Sequence, residues 1–172
     1  DNVESRGLGD VYKRQGTHPE KGAYFTRGTS HDEYARYTED GNINAQTLTR
    51  LMRKFRTATD LVPEPIIEIN GEDSCGVIYY GSSKPAVLEA KDILKTKNIN
   101  LDLMQIRSFP FNLDVWEFIA NHDRIYVVEQ NRDSQMRTLI MAEGGISAEI
   151  LRPLVHFTGD PIEASYLSLI HI

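Results

Sequence analysis

The chain has 172 residues, is 40% hydrophobic and 26% charged, and carries a formal net charge of -6. That length holds one ordinary domain with some extra, and that composition supports a buried core. The acidic balance argues against a nucleic-acid face, which relies on clustered Lys and Arg, and no apolar run approaches the ~20 residues of a membrane helix.

The N-terminus lacks the basic, apolar and small-residue order of a signal peptide, so a soluble cytoplasmic protein is expected. Cys75 is the sole cysteine. It excludes an internal disulfide, and an iron–sulfur cluster, which takes about four thiolates, needs cysteines from elsewhere. Cys75 precedes an apolar run and reads as a small buried side chain rather than a reactive thiol. Two end segments, GLGDVYKRQ (residues 7–15) and SLIHI (168–172), resemble translated sequencing-adapter sequence. Residues 1–15 and 168–172 are therefore expected to be non-native and are left out of the fold reading.

Residues 16–41 are polar, Gly-rich and aromatic without a clean period, which reads as an extended connector loop. Residues 44–62 follow with Leu48, Leu51, Met52, Phe55 and Val62 at helical spacing, and Asn44 is a plausible N-cap. Pro63 and Pro65 stop that helix, which places a domain boundary near Pro63. Next comes an alternation. A strand over 76–80 leads through the turn Gly81-Ser82-Ser83 into a helix over 85–97. Its stripe is Ala86, Val87, Ala90, Ile93 and Leu94, and Ser83 is its candidate cap. A second strand spans 101–107, with an exit loop Ser108-Phe109-Pro110-Phe111. A helix over 113–121 turns Val115, Trp116 and Ile119 inward. A third strand, 124–129, a helix over 134–143 broken by Gly144-Gly145, a short helix from Ser147 and a last strand over 154–157 complete the series. Such alternation predicts right-handed crossovers and a parallel sheet, hence an α/β domain over residues 64–166 preceded by a connector loop and helix over 16–63.

In a parallel sheet, ligands and partners gather at the carboxyl ends of the strands. Gly81, Ser82 and Ser83 stand there as a candidate anion site, because small residues let backbone N–H groups approach an oxyanion at a helix start. A tight turn with a Ser cap explains the same residues and takes precedence, since the fuller G-x-G-x-x-G and P-loop spacings are absent. Glu129, Gln130, Asn131 and Arg132 are denser in polar groups than a turn requires, which favours an interface or an internal network over catalysis. In the connector, Arg27, His31, Asp32, Glu33 and Arg36 crowd together, but no second His stands at ligand spacing, so no metal site is expected. His18, His122 and His156 are scattered and read as structural. No G-x-S-x-G elbow occurs and Cys75 has no evident His partner, so nucleophilic hydrolysis is unsupported.

Five pieces occur in order: YFTRGTSHDEYARYTED (residues 24–40), LVPEP (61–65), GVIYYGSS (76–83), RSFPF (107–111) and VVEQNRDSQMRTLI (127–140). Together they resemble the alpha subunit of 2-oxoacid:ferredoxin oxidoreductases, particularly the 2-oxoglutarate type. The resemblance implies an enzyme that oxidatively decarboxylates a 2-oxoacid on thiamine diphosphate with magnesium. Electrons would pass through an iron–sulfur cluster to ferredoxin, with release of an acyl-CoA. It also implies a beta subunit that carries the diphosphate motif and the cluster cysteines. Residues 64–166 would be a domain like the C-terminal domain of transketolase. Arg27, His31, Asp32 and Glu129 to Arg132 would serve subunit contacts. No catalytic residue transfers to this chain, no cofactor is expected on it alone, and the isolated piece is expected to be inactive. The alternatives are the same module in another thiamine-dependent dehydrogenase or transketolase-like enzyme, and a non-catalytic α/β binding or assembly module.

Overall fold

The structure, a computed structural model, describes residues 30–34, 36–71 and 75–168. The chain divides into two compact units, with the division falling between Phe55 and Arg56. The elements, in chain order, are α1 (Gly41–Ala58), β1 (Ile66–Glu68), β2 (Cys75–Tyr80), a 3-10 turn (Gly81–Ser83), α2 (Lys84–Lys95), β3 (Leu101–Ile106), α3 (Leu113–Ala120), β4 (Ile125–Glu129), α4 (Gln135–Gly144), β5 (Leu151–Val155) and α5 (Ala164–Leu167).

The five strands form one sheet in the order β1-β3-β2-β4-β5. β2 runs parallel to both β3 and β4, and β5 runs parallel to β4; β1 is antiparallel to β3. The expected α/β fold with a mainly parallel sheet is therefore present. Alternate residues of the central strands feed two separate cores, as the twofold side-chain period of a strand requires. Val77 and Tyr79 of β2 pack with Leu101, Leu103 and Val128 under Ala86, Val87, Ala90 and Leu94 of α2 and Ala164 and Leu167 of α5. Ile78, Met104, Ile106, Ile125, Val127 and Leu151 face the other way, under Val115, Phe118 and Ile119 of α3 and Ile140 of α4. Helices cover both faces, and this is why the strands read as continuous apolar runs.

Several expectations need correction. The first helix runs from Gly41 to Ala58, three residues earlier than the sequence suggested. Its cap is Asp40, whose Oδ1 accepts from Asn42 N at 2.8 Å and Ile43 N at 3.4 Å, and Asn44 lies inside the helix. The helix stops before the prolines, with Leu61 N and Val62 N both donating to Ala58 O. The segment after Pro65 holds an edge strand, β1, which the sequence reading did not place. Its approach is tied down by Ser108 Oγ, which donates to Pro63 O at 2.6 Å. Ser83 makes no side-chain cap to α2. Residues after Ser147 form turns, not a helix. The last strand lies three residues earlier than expected and contains Pro153, which an edge strand tolerates. Trp116 is only half-buried.

Candidate functional site at the carboxyl edge of the sheet

The winding of the chain creates one special place at the carboxyl edge. From β2 the chain crosses by α2 over one face to β3; from β3 it crosses by α3 over the opposite face, passing β2, to reach β4. The segments leaving β2 and β4 therefore diverge to opposite faces. This is the topological switch point where open α/β sheets bind ligands. Gly81-Ser82-Ser83 and Gln130-Asn131-Arg132 are the two segments that border it.

Their side chains engage one another. Gln130 Nε2 donates to Ser82 Oγ at 3.0 Å and to Ser83 Oγ at 3.1 Å, spanning the gap between the two strand ends. Ser83 is buried and Ser82 exposed. Gly81 has φ +58, a left-handed conformation that glycine adopts without strain and that turns β2 into the 3-10 segment. A Cβ built at Gly81 would meet nothing within 4 Å, so the turn keeps open space on its outer side.

Glu129 is the best-satisfied group in the region. It is 0% exposed. Its Oε2 accepts from Asn131 Nδ2 at 2.7 Å and Met136 N at 2.8 Å, while Oε1 accepts from Arg137 N at 2.9 Å. Asn131 Oδ1 accepts from Gln135 N at 3.2 Å and Asp133 N at 3.1 Å. Thr138 N donates to Ser134 O. The N–H groups of Gln135, Met136 and Arg137, which the start of α4 leaves without intrahelical partners, are thus all filled. The carboxylate also sits at the positive end of the helix dipole. Ser134, the residue in the usual capping position, makes no cap and adopts φ +51. Side chains of the preceding segment thus occupy the first three helical N–H groups of α4.

Asn131 Nδ2 also reaches Tyr80 Oη at 3.4 Å. Burial, and then the Glu129 charge, push the Tyr80 phenol above its ordinary value, while the bond from Asn131 pulls the other way. Arg132 turns out to solvent, where its Nε donates to Asp133 Oδ1 at 2.7 Å. Within the cluster singled out by sequence, Glu129 and Asn131 face inward, whereas Gln130 and Arg132 are exposed.

The connector residues belong to the other unit. Asp32 Oδ1 accepts from Tyr34 N and Arg36 N, each at 2.9 Å, forming a closed local turn. His31 pairs with Tyr37 in a single antiparallel bridge, and its carbonyl accepts from Thr47 Oγ1 at 3.1 Å. Asp32, Glu33, Tyr34, Gln46, Thr47 and Arg50 border a shallow cavity of about 380 Å³. Arg27 lies outside the described residues, as does His18.

Sequence reasoning missed one site at the opposite, amino edge. His122 Nε2 lies 3.0 Å from Asp102 Oδ2, and both side chains are only 5% exposed. The two are 20 residues apart and only the crossover brings them together. The described residues contain no group of three His, Cys, Asp or Glu that could hold a metal ion. With Cys75 as the sole cysteine, this chain's described residues do not fit a resident cluster or metal. Burial pushes the Cys75 thiol above its ordinary value despite Arg124 and Arg152 nearby, which suits the structural reading.

No family model matches the chain. Among curated proteins, the alpha subunit of 2-oxoacid:ferredoxin oxidoreductase 2 from Aeropyrum pernix is 28% identical over 141 residues. The match covers 78% of this chain and 22% of that protein. This chain is similar to 2-oxoacid:ferredoxin oxidoreductase alpha subunits. The alpha subunit from Saccharolobus solfataricus is 28% identical over 124 residues, or 69% of this chain and 20% of its own length. The chain thus spans about a fifth of the alpha subunits it matches. A solved 2-oxoglutarate:ferredoxin oxidoreductase from Magnetococcus marinus, determined with 2-oxoglutarate, coenzyme A and succinyl-CoA bound, shares the fold. Its TM-score is 0.72 at 19% identity, covering 89% of this chain and 27% of that one.

Proposed function

We propose that this chain is part of the alpha subunit of a 2-oxoacid:ferredoxin oxidoreductase. In that reading, residues 64–166 supply a transketolase-C-terminal-like domain that builds and docks the enzyme rather than performing its chemistry. The observation that carries the proposal is the ordered similarity to alpha subunits over 78% of the chain. The site supports it: the switch-point side chains are used on each other, and no nucleophile with an attendant base stands there.

The complete enzyme would oxidatively decarboxylate a 2-oxoacid, with 2-oxoglutarate first among candidates because the Magnetococcus marinus enzyme was solved with it. Thiamine diphosphate, magnesium, an iron–sulfur cluster and CoA would act in the whole complex, with a beta subunit as partner and ferredoxin as acceptor. The enzyme would be cytoplasmic; among the described residues no helix is long and apolar enough to cross a membrane. The exposed Gln130 and Arg132, with Arg27, His31 and Asp32, are proposed as contacts to other parts of that complex.

The test is viologen reduction by the complete polypeptide co-expressed with its adjacent open reading frame. CoA-dependent reduction with 2-oxoglutarate is expected, and the 172-residue chain alone should give none. A soluble, cofactor-loaded complex that reduces no dye with any common 2-oxoacid would refute the assignment.

A further inference from the structure

The two lateral edges of the sheet are finished differently. β5 ends one side and carries exposed Arg152 and Pro153, a charge and a residue without an N–H, both of which deter pairing with a further strand. β1 ends the other side and holds no proline, and its one charge, on Glu68, is met by Lys91 Nζ of α2 at 2.7 Å. Among the described residues β1 pairs with β3 alone, so alternate residues direct N–H and C=O groups away from the sheet with no strand to receive them.

The side chains of this edge are apolar where a solvent-facing edge is ordinarily charged. Ile66, Ile67 and Ile69 are 47%, 38% and 62% exposed. Ile67 lies opposite Met104, whose side chain packs under α3, whereas Ile66 and Glu68 lie opposite Gln105 and Leu103 on the side of α2. Ile69 continues the period on the α3 side. The segment is held alongside β3 as far as Asn70, whose N donates to Asp102 Oδ1 at 2.6 Å and whose Nδ2 donates to Leu101 O at 2.7 Å. The edge is thus preformed, and pairing demands little further ordering.

We propose that β1 pairs with β1 of a second copy of this chain, antiparallel across a two-fold axis normal to the sheet, so that the two sheets become continuous. Such an axis keeps each face of the sheet on its own side. With the axis at Ile67, that side chain meets its counterpart on the α3 side. Ile66 then lies opposite Glu68 of the second copy on the α2 side, and like charges are not opposed. An identical strand also brings no uncompensated charge, because each Glu68 keeps its own Lys91. The inference rests on the edge alone and stands apart from the enzyme assignment.

Light scattering on the full chain across a dilution series tests it. Twice the single-chain mass is expected at high concentration, falling to the single-chain mass on dilution. Slow hydrogen exchange within β1 should be lost in step. Ile67→Lys should give the single-chain mass at every concentration, whereas Leu48→Lys, on the exposed stripe of α1, should keep the dimer. Should Ile67→Lys fail to fold, the exchange of the wild-type β1 amides with dilution decides the matter. A wild-type chain that stays single at its highest soluble concentration, a dimer that survives in folded Ile67→Lys or is lost in Leu48→Lys, or β1 exchange indifferent to dilution would overturn the inference.

Discussion

Helices α1 and α2 carry similar stripes of apolar residues but differ in what those stripes meet. On α2, Ala86, Val87, Ala90 and Leu94 are buried against the sheet. On α1 no residue is buried, and Leu48, Met52 and Phe55 are 55%, 59% and 51% exposed. α1 is held by its Asp40 cap, its own turns and one bond from Thr47 Oγ1 to His31 O, whereas α2 and α4 also bury side chains in the cores of the sheet. A periodic stripe tells that a helix has an apolar face, not that the chain in hand covers it.

The sharpest way to test this contrast is to cut a buried tie. Glu129→Ala leaves the Met136 and Arg137 amides of α4 without their buried acceptor, and unfolding free energy should fall by about 3–5 kcal/mol. Denaturant titration measures it. Leu94→Ala in the α2 core should cost about 2–5 kcal/mol, while Leu48→Ala on the exposed stripe of α1 should change stability by less than about 0.5 kcal/mol. Equal losses at the two leucines would erase the distinction. Gly144→Ala should cost about 1–3 kcal/mol, because the new methyl group would collide with the Trp116 ring, whose Cε3 lies 2.9 Å from that position.

A smaller effect concerns pH. Because burial raises the Cys75 thiol, its contribution to stability is complete below the ordinary thiol value of about 8.5 and is lost as pH rises beyond it. The melting temperature should begin to fall there, and Cys75→Ala should soften the decline. In step with this, iodoacetamide should label Cys75 slowly at neutral pH in the folded chain and much faster in urea. Rapid labelling of the folded chain would contradict a sheltered thiol.

The sequence made the α/β architecture legible because its strands, covered on both faces, are continuous apolar runs separated by Gly, Ser and Asn turns. β1 was not legible: its three residues are exposed and follow prolines, so only pairing with β3 makes them a strand. The last strand was misplaced because Pro153 interrupts a run that an edge position tolerates. At the carboxyl edge, the polar density of Glu129 to Arg132 was visible, but its division was not. That Glu129 caps a helix beginning six residues later depends on how the chain folds back after β4. His122 and Asp102 could not be paired from spacing at all, since their meeting is a product of the crossover.

On the function proposed above, the switch point is occupied by the chain's own side chains and serves construction of a larger enzyme. Calorimetric titration of this chain with CoA and with thiamine diphosphate tests it most directly. The account predicts no binding heat from either, because Gln130 already spans Ser82 and Ser83 and the start of α4 is filled by Glu129 and Asn131. Tight binding of either compound, lost on replacing Ser82 and Ser83 by alanine, would contradict it and make this edge a ligand site in its own right.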